Sequence, residues 1–268
     1  MIVVMLPAYN EVEALPRLIP KLTDAGQDLG HELRIVVCDD GSTDGTGDVL
    51  NQFRELYPLD VITHRYNRGL GESVRDLIEY AVEVTVPGDF VVRMDCDDTH
   101  EPQYIATMIE RARNGYDVVI ASRFADGGGQ VGVNIYRRFV SRVATLFMRT
   151  LFRIDGLHEY TSGFRVYRAE ILHRAIATYG NNFIQLKGLG FTCTLEKLVK
   201  LKLLGARFGE EPFVLRYDKK VSESKMVTSV TTFGYFTMAV LYHWPWGGWR
   251  ATSRRQGVGQ SAPTDPVV

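Results

Sequence analysis

Short apolar runs alternate along the first half of the chain with longer segments in which apolar residues recur every three or four positions. The runs are rich in Val and Ile, a pattern typical of buried β-strands. They cover residues 2–5, 34–38, 60–64, 90–94 and 117–121. Helical spacing lies between them, at residues 12–26, 46–57, 72–84 and 102–113. Strands separated by helices of this length predict βαβ crossovers, and therefore an α/β fold with a mostly parallel sheet.

Composition and charge exclude several classes of protein. The 268 residues, 45% of them hydrophobic, suffice for one large domain with a full core. Lys and Arg number 31 against 32 Asp and Glu, so bulk charge does not attract nucleic acid, and nucleic acid is not an expected partner. The cysteines, Cys38, Cys96 and Cys193, form no CxxC pair, which fits a reducing compartment and argues against a zinc site. Residues 1–6 are too short for a signal peptide and are predicted to form the first strand.

Acidic residues follow two of the predicted strands where each strand ends. Asp39 and Asp40 lie in CDDGSTDGT, and Asp95 and Asp97 lie in RMDCDDTHEP. The carboxyl ends of parallel strands share one edge of the sheet, where α/β folds bind ligands. Two carboxylates held together need a cation, and Mg²⁺ or Mn²⁺ would supply it together with substrate phosphates. Plain turn and helix-cap roles are the alternative, especially for Asp39, Asp40 and Asp44.

The glycines of NRGLGES resemble part of a dinucleotide fingerprint but do not complete it. Gly69 and Gly71 are present, whereas Val74 stands at the position of the third glycine. The loop also follows the third predicted strand instead of the first. The sequence therefore predicts a turn, either a plain one or one beside a nucleotide pocket, and disfavours an NAD-dependent enzyme.

A collinear set of motifs resembles a known family. The set is MLPAYNE, VVCDDGSTDGT, NRGLGES, MDCDDTHEP, ASRF, YRRFVSR and TSGFRVYR. Its order is similar to that of family 2 inverting glycosyltransferases of the polyprenyl-phosphate, dolichyl-phosphate mannose synthase-like branch, over residues 1–225. The resemblance implies a GT-A (nucleotide-diphospho-sugar transferase, Rossmann-like) fold with flanking helices, to which the residues beyond it are expected to add a C-terminal amphipathic helical segment. It also implies metal-dependent transfer of a hexose from GDP-mannose or a UDP-sugar to polyprenyl or dolichyl phosphate, giving a lipid-linked monosaccharide.

The resemblance implies a role for particular residues of this chain. Those expected to bind the nucleotide-sugar are Pro7, Tyr9, Glu11, Asp39, Asp40, Asp95 and Asp97. The metal ligands expected for Mg²⁺ or Mn²⁺ are Asp95, Asp97 and Thr99, with Thr99 standing where the family often has Gln. Those expected to bind the acceptor phosphate are Arg123, Arg138, Ser141, Arg142, Arg165, Arg216 and Lys225. The expected catalytic residues are Asp97, Arg123, Arg138 and Arg142.

The nature of the acceptor decides how much chemistry the protein must supply. A phosphate monoester is already anionic near neutral pH, so it attacks the sugar without a strong general base, and catalysis reduces to positioning and to stabilising the diphosphate. Transfer to a saccharide hydroxyl would require a base, for which Asp97, Asp98 and Glu196 are the candidates. This alternative stays open, as does nucleotide-sugar binding without turnover.

The C-terminal part of the chain predicts contact with a membrane surface. Residues 226–243 are apolar but interrupted by Ser, Gly and Thr, so a transmembrane helix is disfavoured. The three tryptophans follow in WPWGGW, with arginines after them, a combination typical of a bilayer interface. A helix packed on the catalytic domain is the alternative. The expected organisation is a GT-A catalytic domain at 1–222, a membrane-interface helical segment at 223–250 and a disordered polar tail at 251–268.

The expected partners follow from these assignments. They are a nucleotide-sugar donor, a polyprenyl-phosphate lipid acceptor and a membrane surface, while a membrane-protein partner is left open. The expected location is the cytoplasm, in peripheral association with the cytoplasmic face of the membrane.

Overall fold

The computed structural model describes residues 1–220 and 228–243 of the chain. Strands and helices alternate along most of the described part. The strands are β1 Ile2–Ala8, β2 Leu33–Asp39, β3 Leu59–Thr63, β4 Phe90–Arg93, β5 Val118–Ser122, β6 Gly129–Val131, β7 Arg165–Arg168, β8 Phe208–Pro212 and β9 Val214–Arg216. The α-helices are α1 Leu15–Asp28, α2 Thr46–Phe53, α3 Leu70–Val84, α4 Tyr104–Arg113, α5 Ile135–Leu151, α6 Ala169–Tyr179, α7 Thr192–Leu203 and α8 Thr228–His243. Short 3-10 helices lie at Gly180–Phe183 and Tyr217–Lys219.

The five strands and four helices predicted from the apolar pattern are present in the structure, where they correspond to β1 to β5 and α1 to α4. Their runs of β-branched residues form strands because both faces of the sheet are covered by helices. In β1, every residue except Pro7 is buried. The predicted α/β class is confirmed.

Seven strands form one sheet in the order β3-β2-β1-β4-β7-β5-β8. All neighbours in this sheet are parallel except β7, which runs antiparallel to both β4 and β5. Strands β6 and β9 pair separately as a two-stranded ribbon. Because β7 is reversed, its amino end lies at the same edge as the carboxyl ends of β4 and β5. The segment before β7 therefore joins the loops that follow β1, β2, β4 and β5.

The core has two halves, one on each face of the sheet. Alternate residues of β1 divide between them, so that Val3 and Met5 face one half, which includes buried residues of α3, α6 and α7. Ile2, Val4 and Leu6 face the other half, which includes buried residues of α1, α2 and α4. This alternation follows from the two-residue period of a strand and holds the edge loops on a rigid base.

Helix α8 packs on α7 through small residues. A Cβ atom added at Gly234 would lie 1.9 Å from Oγ1 of Thr192, so only glycine permits this approach. Thr231, Gly234 and Met238 form the buried side of α8. The rest of the expected interface segment, with Trp244, Trp246, Trp249 and Arg250, lies outside the described residues, as does the expected tail with Arg254 and Arg255. No helix within 1–220 and 228–243 is both long and apolar enough to span a bilayer.

Candidate active site

The loops after β1 and β2 are fastened to each other at the carboxyl edge of the sheet. The backbone N–H of Asn10 donates to Ser42 Oγ (2.9 Å), and the N–H of Thr43 donates to Asn10 Oδ1 (2.8 Å). The N–H of Glu11 donates to Thr46 Oγ1 (2.9 Å). These bonds hold the PAYNE loop, with the expected donor residues Pro7, Tyr9 and Glu11, directly beside the first acidic loop.

Asp39 ends β2 and Asp40 follows it, and the two acids have different hydrogen-bond partners. Asp39 Oδ1 accepts the backbone N–H of Ser42 (3.0 Å). Both oxygens of Asp40 are occupied, Oδ1 by the backbone N–H of Arg68 (2.8 Å) and by His64 Nδ1 (2.6 Å), and Oδ2 by the N–H of Gly69 (2.8 Å). Both acids are buried, with 4% of Asp39 and 3% of Asp40 exposed, so their partners and not their burial distinguish them. The structure therefore does not support the expected nucleotide contact of Asp40, which instead fixes the NRGLGES loop.

The second acidic loop presents two carboxylates and turns a third inward. The side chains of Asp95 and Asp97 are 30% and 15% exposed. Asp98 has a φ of +58°, in the left-handed region of backbone conformation. Its carboxylate is 5% exposed and pairs with Lys21 at 2.7 Å. Of the three adjacent acids, Asp95 and Asp97 are thus the pair available to a cation.

Each carboxylate in residues 95–101 is paired with a different cation of the chain. Asp95 Oδ1 lies 2.7 Å from Arg93 Nη1, although the contact lacks hydrogen-bond geometry. Asp97 Oδ2 contacts the ammonium of Lys220. The other pairs are Asp98 with Lys21 and Glu101 with Lys219. The loop is therefore charge-compensated by protein groups alone.

Arg93 is held in place by its packing. It is 1% exposed, and a Cβ atom added at Gly163 would lie 1.4 Å from its Nη1. The glycine of TSGFR thus makes room for the guanidinium that neutralises Asp95. Arg93 is consequently a fixed counter-charge for the first carboxylate.

Thr99 and His100 shape the loop from behind. Thr99 Oγ1 donates to Asp97 Oδ1 at 2.6 Å, and Thr99 is only 3% exposed. The structure therefore does not support Thr99 as a metal ligand, because its hydroxyl is buried and hydrogen-bonded to Asp97, whose carboxylate it orients. His100 Nδ1 accepts the backbone N–H of Asp95 (3.1 Å), and its ring stacks on Phe164. Burial lowers the pKa of His100, which favours the neutral imidazole that this hydrogen bond requires.

Asp95 and Asp97 fit a divalent cation as a two-carboxylate site. A hard ion such as Mg²⁺ commonly takes one or two carboxylates and completes its shell with water and substrate phosphates. In the described part of the chain no cluster of three His, Cys, Asp or Glu side chains is arranged around a metal position. A bound diphosphate would therefore have to supply further ligands.

Arg123 is joined to an acid from the segment before β7. Its Nε donates to Glu159 Oε2 (2.8 Å), and its Nη2 donates to Glu159 Oε1 (3.0 Å). Glu159 is 0% exposed. Burial by itself raises the pKa of Glu159, but the charge and hydrogen bonds of Arg123 hold it below its ordinary value. The antiparallel direction of β7 makes this pairing possible, because it brings Glu159 to the carboxyl end of β5.

Arg165 does not occupy the expected position at the acceptor phosphate. It is 1% exposed, and it donates to three main-chain carbonyls, those of Ser162 (2.9 Å), Thr194 (2.8 Å) and Tyr160 (3.1 Å). Its guanidinium therefore ties the TSGFR segment to α7 inside the protein. The expectation of a phosphate contact is corrected to a structural role.

Arg138 and Arg216 lie at the β6–β9 ribbon. Arg138 folds back onto the loop before α5, donating to the carbonyls of Val133 and Gln130 (both 3.1 Å). Arg142, one turn further, is exposed, and Ser141 is half-buried.

The Arg216 guanidinium pairs with Asp218 (2.7 Å), while its backbone N–H donates to the carbonyl of Thr99 (3.2 Å). That last bond joins the ribbon to the second acidic loop.

Several residues of the site were not among those expected from the sequence. They are Arg93, Glu159, Lys220 and His64, which bridges Asp40 and Asp76. Arg93 and Glu159 adjoin the motifs MDCDD and TSGFR, so closeness to a motif was the only signal. Lys220 had no local signal, because 122 residues separate it from its partner Asp97. Lys225, expected at the acceptor phosphate, lies outside the described residues.

Two proteins of known name are similar to the chain over most of its length. The chain is 32% identical over 242 residues to undecaprenyl-phosphate mannosyltransferase of Micrococcus luteus, covering 87% of this chain and 93% of that protein. It is 32% identical over 224 residues to dolichol-phosphate mannosyltransferase of Pyrococcus furiosus, covering 83% of this chain and 58% of that protein.

A solved structure shares the fold. It is glucosyl-3-phosphoglycerate synthase from Mycobacterium tuberculosis in complex with Mg²⁺ and uridine diphosphate, with a TM-score of 0.56 and 18% identity over 90% of this chain and 78% of that chain. The profile of glycosyl transferase family 2 matches residues 3–175. The predicted GT-A architecture is thereby confirmed, and the chain belongs to glycosyl transferase family 2, as its motifs indicated.

Proposed function

We propose that this glycosyltransferase transfers a hexose, with inversion, from a nucleotide-diphosphate sugar to polyprenyl phosphate, using a divalent cation. The observation that carries the proposal is the partly exposed pair Asp95 and Asp97 at the carboxyl edge, with Arg123, which follows β5, at the same edge. This arrangement provides a cation site and a guanidinium for two phosphorylated substrates. The names of relatives that align with most of the chain support a lipid phosphate as acceptor and mannose as the sugar.

On the donor side, Pro7, Tyr9, Glu11 and Asp39 line the place we assign to the nucleoside. The fastened PAYNE and CDDGSTDGT loops give it a rigid wall, which lowers the entropic cost of binding. Asp95 and Asp97 would hold Mg²⁺ or Mn²⁺. When bound, the ion would neutralise charge that develops on the leaving diphosphate. Thr99 keeps the Asp97 carboxylate oriented for this role.

On the acceptor side, we assign the lipid phosphate to Arg123, Arg138, Ser141 and Arg142, with Arg216 and Lys225 beyond them. Glu159 holds Nε and Nη2 of Arg123, so Nη1 is the nitrogen that we assign to the phosphate. The ion pair keeps the guanidinium in a single orientation. Positioning of this kind places two anionic reactants in line, which is where most of the rate enhancement would arise.

The burial of two acids argues against a hydroxyl acceptor. Asp98 is 5% exposed and paired with Lys21. Glu196 is 0% exposed; its Oε2 accepts the N–H groups of Gln185 and Leu186, and its Oε1 pairs with Lys200. Neither carboxylate lies where it could take a proton from a substrate, and Asp97 is committed to the cation site. An acceptor that is already ionised requires no such base.

An exposed apolar surface supports peripheral association with a membrane. In α5, large apolar residues recur on one face, at Ile135, Phe139, Val143 and Leu146, with exposed fractions of 81%, 65%, 49% and 62%. In α8 they are Phe233, Phe236, Val240 and Leu241, each more than half exposed. The helices lie side by side, since the rings of Phe147 and Phe236 are 5.4 Å apart and His243 Nε2 lies 2.9 Å from the carbonyl oxygen of Leu151.

We call these eight residues the apolar face and infer that it rests on the bilayer. Large contiguous apolar patches on a protein surface mark interaction sites, and surface helices bind membranes through an apolar face. The location we propose is the cytoplasmic side, where nucleotide-sugars are available. A lipid acceptor anchored in the same bilayer would then present its phosphate near α5.

The experiment that tests the proposal is transfer from labelled nucleotide-sugars to a short polyprenyl phosphate in detergent. GDP-mannose, UDP-glucose and UDP-N-acetylhexosamines would be offered separately, each with Mg²⁺, Mn²⁺ or a chelator. We expect one donor to give an organic-extractable product that disappears with chelator. Donor binding without any lipid product would contradict the proposal and favour a saccharide acceptor or a non-catalytic binder.

A further inference from the structure

The ammonium of Lys220 contacts the carboxylate of Asp97, the second acid of the pair, and the contact is largely buried. Its ammonium bonds to Asp97 Oδ2, and the two side chains are only 12% and 15% exposed. Asp97 Oδ1 is taken by Thr99, so both of its oxygens are engaged. An ion pair shielded to this extent is worth more than a solvated surface pair.

The turn that carries Lys220 is fastened to the acidic loop at further points. The backbone N–H of Arg216 donates to the Thr99 carbonyl (3.2 Å), and Lys219 pairs with Glu101. The Lys220 ammonium also lies 5.9 Å from the centre of the Tyr217 ring. These contacts keep Lys220 beside Asp97, so that only its side chain has to move for the carboxylate to be released.

The charges around the pair are already balanced. Arg93, Asp95, Asp97 and Lys220 carry two positive and two negative formal charges. Arg93 is buried against Gly163 and cannot withdraw, whereas Lys220 has a flexible side chain on a surface turn. A divalent ion arriving alone must therefore displace Lys220 into solvent, at the cost of a shielded ion pair.

We propose that Lys220 is the resident counter-ion of Asp97 and passes from Asp97 to the donor diphosphate when cation and nucleotide bind together. The inference rests on the proposed function, because it assumes that Asp97 and a diphosphate share one ion. Ligands of the same ion lie next to each other, so the diphosphate is within reach of the released ammonium. An ion pair between Lys220 and the diphosphate then replaces the ion pair with Asp97. The cation and the nucleotide consequently bind cooperatively, and Lys220 couples the two binding events.

The test measures Mn²⁺ binding directly, by the electron paramagnetic resonance signal of the free ion. Wild type, Lys220→Met, Lys220→Arg and Lys219→Met would be titrated with Mn²⁺ alone, and then with GDP or UDP present. Lys219→Met is the matched control, since Lys219 lies in the same turn but pairs with Glu101. Lys220→Arg retains the positive charge and reports whether the charge itself is responsible.

Without nucleotide, we expect Lys220→Met to bind Mn²⁺ about tenfold more tightly than wild type, because the competing cation is gone. With GDP or UDP present, the same variant should gain several-fold less Mn²⁺ affinity from the nucleotide than wild type gains, because the diphosphate loses the ammonium. Lys220→Arg and Lys219→Met should behave as wild type in both titrations. The two opposite changes from one substitution distinguish partner exchange from general damage to the site.

Unchanged or weaker Mn²⁺ binding by Lys220→Met without nucleotide, in a site where wild type binds Mn²⁺ with nucleotide, would overturn this inference and leave the proposed function standing. Failure of every form to bind Mn²⁺, even with both nucleotides, would overturn the metal site of the proposed function and this inference together. Circular dichroism of each variant, matching that of wild type, confirms that the comparison is between folded proteins.

Discussion

The carboxylate of Glu159 holds the guanidinium of Arg123 through two parallel hydrogen bonds, of 2.8 and 3.0 Å, inside the protein. Glu159 accepts further bonds from the N–H and hydroxyl of Thr161 and from the N–H of Ser162. One buried acid thus fixes both the proposed phosphate ligand and the segment that leads into β7.

Replacing Glu159 with Gln should destabilise the fold as well as impair transfer. The neutral amide would leave Arg123, whose side chain is 13% exposed, without its counter-charge. Removing one partner of a buried pair costs about 3 kcal/mol or more in the free energy of unfolding. Urea denaturation measures this, with Glu110→Gln on the exposed side of α4 as control. Equal midpoints for the two variants would contradict the role assigned to Glu159.

The same pair predicts an acid-sensitive stability. Because the pKa of Glu159 is depressed in the folded state, its contribution is complete above the unfolded value of about 4.3 and is lost as the pH falls through the folded value. The wild-type stability should therefore fall more steeply below about pH 4.3 than that of Glu159→Gln. Parallel curves of unfolding free energy against pH would argue that the pair does not titrate as described.

Neutralising Asp97 should abolish most of the transfer activity, whereas neutralising its neighbour Asp98 should change it little. Asp97→Asn removes a proposed cation ligand, and we expect transfer to fall by about a hundredfold or more. Asp98→Asn should keep transfer within about threefold, since Asn tolerates the left-handed backbone at this position and the side chain faces Lys21. Initial rates at saturating donor, with Mn²⁺, measure both. Comparable losses in the two variants would mean that the metal-binding pair is wrongly assigned.

Charges placed in the apolar face should weaken membrane binding. Phe139→Glu in α5 and Phe236→Glu in α8 each put a carboxylate on a surface that we infer to rest on lipid. Each should lower the partition coefficient onto anionic vesicles by about tenfold. Leu56→Glu is the matched control, because Leu56 is 71% exposed but lies after α2, outside the apolar face. Sedimentation with vesicles that leaves all three variants equal to wild type would reject the inferred membrane surface.

The buried Lys197 predicts a stability that rises with pH. Burial is the main cause that lowers its pKa to about 7 in the folded protein, whereas the unfolded chain has an ordinary value of about 10.4. The folded state therefore binds fewer protons between these values, so raising the pH favours folding. We expect wild type to gain about 3 kcal/mol relative to Lys197→Met between pH 7 and 9.5.

The comparison with Lys197→Met is needed because other buried groups titrate in the opposite sense. Burial raises the pKa of Cys38 to about 12, for example, so its ionisation favours unfolding at high pH. The difference between wild type and variant isolates Lys197. Lys202→Met, on the same helix but half-buried, is the matched control. A pH-independent effect of Lys197→Met would show that the lysine is not neutralised on folding.

The sequence by itself determined the α/β class, the first five strands, the two acidic loops and the family. These features are local, because they rest on the period of apolar residues, on turn chemistry and on motifs within a few positions. It also placed the acids of both loops, Asp39, Asp40, Asp95 and Asp97, at one edge of the sheet, because the carboxyl ends of parallel strands share an edge.

Only the tertiary structure decided which charges meet. The reversed direction of β7 brought Glu159 to Arg123, and burial converted Arg165 from an expected phosphate ligand into a brace for TSGFR. The contact of Lys220 with Asp97 joins residues far apart in the chain. The physical reason is common to all three. A side chain's partners and its access to water depend on which distant segments pack around it, and no local pattern of residues encodes that packing.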